Sequence, residues 1–272
     1  MEITVQFAAR AIDAVRAVAA SEILPRYRTV VATRKDDGSL VTEADHASQR
    51  MLVRGLRALE DVPVMGEEMA RAEQQAIFER GGRYWCVDPL DGTRNFAGGV
   101  PFFAVSVALV ENARPVFGTV YDPIADEAFF AVRGAGAWLN HKPLAVPREA
   151  PVLSQALAEV SLRSPYNTLR SAFKSRAPYK RRITSGSATL SWCHLAAARI
   201  DVLVSPAQKM WDYAAGALIA HEAGASLSTL EDDDFWAAPA FAKSALAARG
   251  PALLAEWREW LRTEIKNSCT PR

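Results

Sequence analysis

Cysteine is scarce. Cys86, Cys193 and Cys269 are the whole complement of this 272-residue chain. They lie far apart and are odd in number, which leaves neither a disulfide framework nor a zinc-ligand spacing and points to a reducing compartment. An excess of charge is missing too. Lys plus Arg is 32 against 31 for Asp plus Glu, a net charge of +1, so nothing pulls the chain generally towards nucleic acid or a membrane surface. The longest near-apolar run, residues 100–110, is too short to span a bilayer as a helix. The opening MEITVQFAARAID is an amphipathic helix pattern with neither a basic leader nor a cleavage site. Internal repeats and low-complexity tracts are absent. The four histidines, His46, His141, His194 and His221, show no ligand spacing and are read as structural or surface residues. A soluble cytoplasmic protein is the expectation, with half its residues hydrophobic and so enough for a sizeable core.

What the chain does have is WCVDPLDGTRNF, residues 85–96. An apolar run, 84–87, reads as a short buried strand that ends at Asp88. Two carboxylates three residues apart, beside Pro89 and Gly92, are not expected inside a strand. Gly92 lets the backbone turn sharply, so the loop can aim Asp88 and Asp91 at one point. Two anions that close repel unless a proton or cation lies between them. A bare DxxD is more often a solvated acidic turn. Here Trp85, Val87, Leu90 and Phe96 flank the acids and argue for burial, where a divalent metal is the strongest available partner.

Around this stretch the chain reads as two halves. Residues 3–24 carry a helical apolar repeat stopped by Pro25. Lys35-Asp36-Asp37-Gly38 reads as a polar turn. Thr42 is placed to cap a helix reaching about Leu59, with Asp45 three residues on. A short strand, 62–65, leads into Gly66-Glu67-Glu68 and a helix to about Arg80. Strands are expected at 102–110, 116–121 and 128–132, then a hairpin-like stretch around Gly134, Gly136 and Asn140. The proline-rich segment 143–151 marks the boundary between an N-terminal α+β subdomain, 1–145, and a C-terminal α/β subdomain, 146–272. Beyond it strands and helices alternate. Thr184 to Ser187 leads into a helix to about Arg199, and strand 200–204 is followed by Ser205-Pro206, a candidate turn. Trp211-Asp212 opens a helix of small residues closed by Gly224. Taken singly, Asp45, Glu67 and Asp212 are ordinary helix-terminus acids. The basic run RAPYKRR, 176–182, reads as a solvated face or a surface for a partner.

Together VTEAD (41–45), GEE (66–68), DPLDGTRNF (88–96) and WDYAAG (211–216) resemble the inositol monophosphatase superfamily of metal-dependent phosphatases. The order and combination are specific, although each motif alone is weak. The resemblance implies an α/β, α+β layered fold, an αβαβα sandwich, and two or three Mg²⁺ ions. It assigns Glu67, Asp88 and the Leu90 carbonyl to one metal and Asp88, Asp91 and Asp212 to a second, with a looser third on Glu67. Asp45 and Thr93 would orient or deprotonate the attacking water, which makes Glu67, Asp45 and Thr93 the catalytic set. Gly92, Thr93, Gly186, Ser187, Ala188, Ser205 and Asp212 would face the substrate. The implied activity is Mg²⁺-dependent hydrolysis of a small phosphorylated polyol or sugar, and the implied assembly is a homodimer. The alternatives are 3′-phosphoadenosine 5′-phosphate or histidinol phosphate as substrate, or a non-catalytic role on the transcription machinery. One departure bears on the substrate. Inositol-specific members carry a glutamate where this chain has Ser205, so Gln208 and Lys209 are candidates for a donor surface in its place.

Overall fold

The computed structural model describes residues 3–36, 38–147, 149–161 and 167–269. The first half opens with α1 (Val5–Val18), extended by one wide turn and one tight turn to Arg26, and a small hairpin of β1 (Thr33–Arg34) and β2 (Leu40–Val41). It continues through α2 (Glu43–Leu59), β3 (Val64–Gly66), α3 (Arg71–Arg80), β4 (Arg83–Asp91) and α4 (Thr93–Ala97). Strands β5 (Ala104–Glu111), β6 (Arg114–Asp122), β7 (Glu127–Val132), β8 (Gly136–Leu139) and β9 (Lys142–Leu144) complete it. The second half runs β10 (Leu157–Val160), α5 (Asn167–Ser175), β11 (Arg181–Ile183), α6 (Ala188–Ala196), β12 (Val202–Lys209), α7 (Met210–Glu222), β13 (Ser226–Ser228), β14 (Ala242–Ala248) and α8 (Pro251–Cys269).

Among these residues β3 to β9 form one seven-stranded sheet in chain order, and a five-stranded sheet is ordered β11-β10-β12-β14-β13. Alternation along the strands decides the layers. Trp85, Val87, Val105, Val107 and Leu109 face α1 and α2, where Phe7 stacks on Trp85 at 5.8 Å. Tyr84, Cys86, Ala104, Ala108 and Val110 face the other way, into a core shared with α6, α7 and the second sheet's Leu203, Ala245 and Ala247. The far face of that second sheet, with Val202, Val204 and Leu246, packs on Phe173 of α5 and Trp257 of α8. The result is the expected αβαβα stack. Small residues let the middle layer approach. A Cβ on Gly118 of β6 would lie 2.8 Å from Ala215 Cα, and one on Gly216 would lie 2.5 Å from Trp192 Cβ.

Several local expectations change. β4 does not end at Val87. It runs to Asp91 because Asp88 pairs with Ser106 and Asp91 with Ala104, with a register shift between them. Pro89 and Leu90 are taken up as a bulge, which re-aims the side chains without ending the strand. Ser205-Pro206 is likewise no turn. β12 continues to Lys209 opposite β14, with a shift between Ser205 and Gln208. The basic run contributes an edge strand, β11. Two hairpin strands flank the Lys35 turn, whose Asp37 lies outside the described residues. Cys86 and Cys193 are free and buried; the side chain of Cys269 lies outside the description. No described helix is long and apolar enough to cross a membrane.

Candidate active site

The proposed site residues lie where strand ends and helix starts meet. β3 and β4 are parallel, with Gly66 beside Val87, so Glu67 emerges next to Asp88. The Glu67 amide donates to the Val87 carbonyl at 3.2 Å. Gln74 of α3 holds the turn, its Nε2 donating to the carbonyls of Gly66 and Glu67 at 2.8 and 2.9 Å. Gly92 follows the bulge at φ 87°, and a Cβ there would lie 2.8 Å from the Phe102 carbonyl oxygen, so glycine is required. That turn delivers Thr93, the first residue of the five-residue helix α4.

The Thr93 hydroxyl lies 3.0 Å from both Asp45 Oδ1 and the Leu90 carbonyl oxygen. Asp45 is 1% exposed and forms a capping box with Thr42. Its Oδ2 accepts from the Thr42 amide at 2.7 Å and the Thr42 hydroxyl at 2.6 Å. Burial raises its pKa, opposed by these bonds. Asp45 is therefore a helix cap and also the acceptor for Thr93, two readings the sequence left as alternatives.

Asp91 bridges the two halves. Its Oδ2 accepts from the Ser187 hydroxyl at 2.5 Å and from the Thr189 amide and hydroxyl, both at 2.7 Å. The carboxylate thus sits at the N-terminus of α6, where amides and helix dipole favour an anion. Ser187 is the N-cap of that helix. Gly186, at φ +81°, packs so that a Cβ would lie 2.8 Å from Asn95 Nδ2, and Ala188 is the first residue of α6. Asp212 is inside the first turn of α7, and its Oδ2 accepts from the Lys209 amide at 2.8 Å.

Lys35 was not foreseen. Its ammonium lies 3.2 Å from Glu67 Oε1 and 2.5 Å from Glu68 Oε1. Its own burial pulls it down, yet the two glutamates hold it above its ordinary value. Burial raises both glutamates, Glu68 to about 7. A lone lysine in a polar turn carries no sequence signal for this pairing, because the β1–β2 hairpin brings it across. Thr189 was also missed, since its role depends on where α6 meets β4. Gln208 is not a donor surface. It is 2% exposed, and its Oε1 accepts the Trp192 indole at 2.9 Å.

Asp88 tests whether these residues fit a metal. It is 1% exposed and its Oδ1 accepts the Leu90 amide at 3.0 Å. Burial first, then the charges of Glu67, Asp91 and Asp212, push it well above the ordinary carboxylate range. Hard oxygen donors of like charge, near enough to push Asp88 up, suit a hard divalent cation. Among the described residues, no three His, Cys, Asp or Glu side chains stand gathered to hold one. Their oxygens are turned to protein donors, Glu67 to Lys35, Asp91 to α6 and Asp212 to the Lys209 amide. The chemistry of the donor set fits Mg²⁺, and Glu67, Asp88, Asp91 and Asp212 with the Leu90 carbonyl would hold it.

The sequence profile of the Inositol monophosphatase family matches residues 2–266. A Thermotoga maritima protein named fructose-1,6-bisphosphatase/inositol-1-monophosphatase is 35% identical over 215 residues, covering 78% of each chain. A Haemophilus influenzae protein named Nus factor SuhB is 35% identical over 207 residues, 73% of this chain and 75% of that one. The solved structure of a Thermotoga maritima IMPase superposes with a TM-score of 0.81 at 29% identity, over 95% of this chain and 97% of that one.

Proposed function

The chain belongs to the inositol monophosphatase family, and on that footing we propose that it is a Mg²⁺-dependent phosphomonoesterase acting on a small phosphorylated polyol or sugar. The observation that carries this reading is the Asp45–Thr93 pair, 3.0 Å apart, next to carboxylates that burial and mutual repulsion have primed for a cation. Bound Mg²⁺ supplies positive charge against the phosphate oxygens and acidifies water. The chain's own residues do the rest. Thr93 Oγ1 accepts a hydrogen bond from the attacking water and passes its own proton towards Asp45 Oδ1. Burial makes Asp45 a better base than an exposed aspartate, which suits general-base work. The water oxygen forms the new bond to phosphorus, the ester P–O bond breaks, and the leaving oxygen takes up a proton from solvent water. Asp91, fixed by three donors from α6, keeps one carboxylate oxygen in a set direction. The substrate-facing set remains Gly92, Thr93, Gly186, Ser187, Ala188, Ser205 and Asp212.

The test is phosphate release from a panel of phosphomonoesters with and without Mg²⁺. The panel contains inositol 1-phosphate, fructose 1,6-bisphosphate, histidinol phosphate and 3′-phosphoadenosine 5′-phosphate. Release from none of them in saturating Mg²⁺ overturns the proposal. A second reading, a binding role, is favoured by the relative named Nus factor SuhB; a protein that binds a partner equally well with Thr93→Ala as without it would be acting apart from this chemistry. A homodimer belongs to the same proposal and is checked by sedimentation.

A further inference from the structure

Glu159 lies in the interior of β10, paired with Ile183 of β11 on one side and Leu203 of β12 on the other. It is 2% exposed. Its Oε1 accepts the Ser185 amide at 2.8 Å and lies 3.4 Å from the Ser185 hydroxyl. Its Oε2 is buried and has no hydrogen-bond partner among the described residues. Interior carboxyls are costly, and an orphaned oxygen adds to the cost. Such a group calls for a reason.

The reason lies in what Ser185 begins. The turn Ser185-Gly186-Ser187 is pinned from both halves of the molecule. From the first half, Asn95 Nδ2 donates to the carbonyls of Ser185 and Phe102 at 2.8 and 2.7 Å. From the second half, Glu159 holds the Ser185 amide. The Ser185 hydroxyl then meets the Ser187 carbonyl and the Ser191 hydroxyl, each at 3.1 Å. Ser187 in turn donates to Asp91. Gly186 cannot relax the turn, because its positive φ and its approach to Asn95 fix it. The backbone of one short turn is thus held between Asn95 on one side and one buried carboxyl beneath it.

We infer that Glu159 is a positioning residue that sets the Ser185–Ser187 turn for recognition of the substrate's leaving group. This rests on the proposed phosphomonoesterase reading. Glu159 touches neither the substrate nor the reacting atoms; it acts through the turn. Its role is to accept the Ser185 amide, which a neutral amide side chain does equally well. The inference therefore separates shape from charge.

The experiment compares wild type, Glu159→Gln and Glu159→Leu on two esters, glycerol 2-phosphate and phenyl phosphate, with Mg²⁺ affinity read by calorimetry. In Glu159→Leu, KM for glycerol 2-phosphate should rise about tenfold or more, because a displaced turn misplaces hydroxyl contacts. KM for phenyl phosphate, kcat and Mg²⁺ affinity should each change by less than about threefold. Glu159→Gln should behave as wild type. An unchanged KM for glycerol 2-phosphate, an equal rise for both esters, a fall in kcat at constant KM, or a Gln variant as impaired as Leu would each overturn the inference. Should Glu159→Leu fail to fold, Glu159→Met, which fills a similar volume but offers the Ser185 amide no oxygen acceptor, carries the same expectation. A wild type that hydrolyses neither these two esters nor any member of the panel above sinks the proposed function instead. Amide exchange over residues 184–190 then decides the positioning role, with faster exchange in Leu but not in Gln expected, and equal exchange in all three overturning it.

Discussion

The Thr93 hydroxyl lies equally far, 3.0 Å, from Asp45 Oδ1 and from the Leu90 carbonyl. One hydroxyl proton serves one acceptor at a time. If Asp45 is the acceptor that matters for water activation, Thr93→Ala should lower kcat by about a hundredfold or more. Mg²⁺ affinity by calorimetry should stay within about threefold of wild type. A Thr93→Ala enzyme with normal turnover would remove the pair from the mechanism.

Metal dependence follows from the burial and like charge of the carboxylates around Asp88. Excess chelator should abolish phosphate release and added Mg²⁺ should restore it. Mg²⁺ at 100 times its Kd should also stabilise the fold by about 2.7 kcal/mol, read as a rise in Tm. Full activity in chelator contradicts the reading.

Asp91→Asn separates two duties of one residue. The substitution removes a charge from the metal set, so turnover should fall by orders of magnitude. It also weakens the bonds from Ser187 and Thr189 to Asp91 Oδ2. Loss of an N-terminal helix acceptor costs about 0.5–2 kcal/mol, so the protein in chelator should melt lower than wild type. A raised Tm would mean that relief of repulsion outweighs the α6 contacts.

Ser205 is 6% exposed and sits in β12 two residues beyond Leu203, the partner of Glu159. Ser205 and Glu159 therefore share a sheet face. Ser205→Glu should raise kcat/KM for inositol 1-phosphate relative to the other esters and lower Tm by placing a second carboxyl on that face. An unchanged substrate ranking means Ser205 does not select the substrate.

Glu159 also predicts a pH effect. Burial raises its folded pKa above the ordinary value, with the Ser185 bonds and Arg182 opposing. Between the unfolded pKa, about 4.3, and the raised folded value, the folded state binds more protons than the unfolded one. Stability must fall as pH rises through that window. Urea unfolding across it should show a shallower decline for Glu159→Gln than for wild type; equal slopes would mean the group titrates alike in both states.

Local chemistry was legible without the structure. Thr42 and Asp45 announce a helix start because capping is decided within four residues, and the turn at Gly92 is legible because a glycine acts only on its own neighbourhood. Periodicity by itself left the layer stack open; the resemblance carried by four motifs in order implied it. What escaped was decided at a distance. Pro89 and Ser205-Pro206 look like strand ends, yet pairing with β5 and β14 absorbs both as bulges, since ladder bonds on either side outweigh a local break. Lys35 and Thr189 look like surface and helix residues until a hairpin and a helix bring them to Glu67 and Asp91. Glu159 reads as one acid in an apolar strand. Only the tertiary structure buries it and sets Ser185 above it, because burial and hydrogen-bond partnership are properties of the packed chain and not of the residues in line.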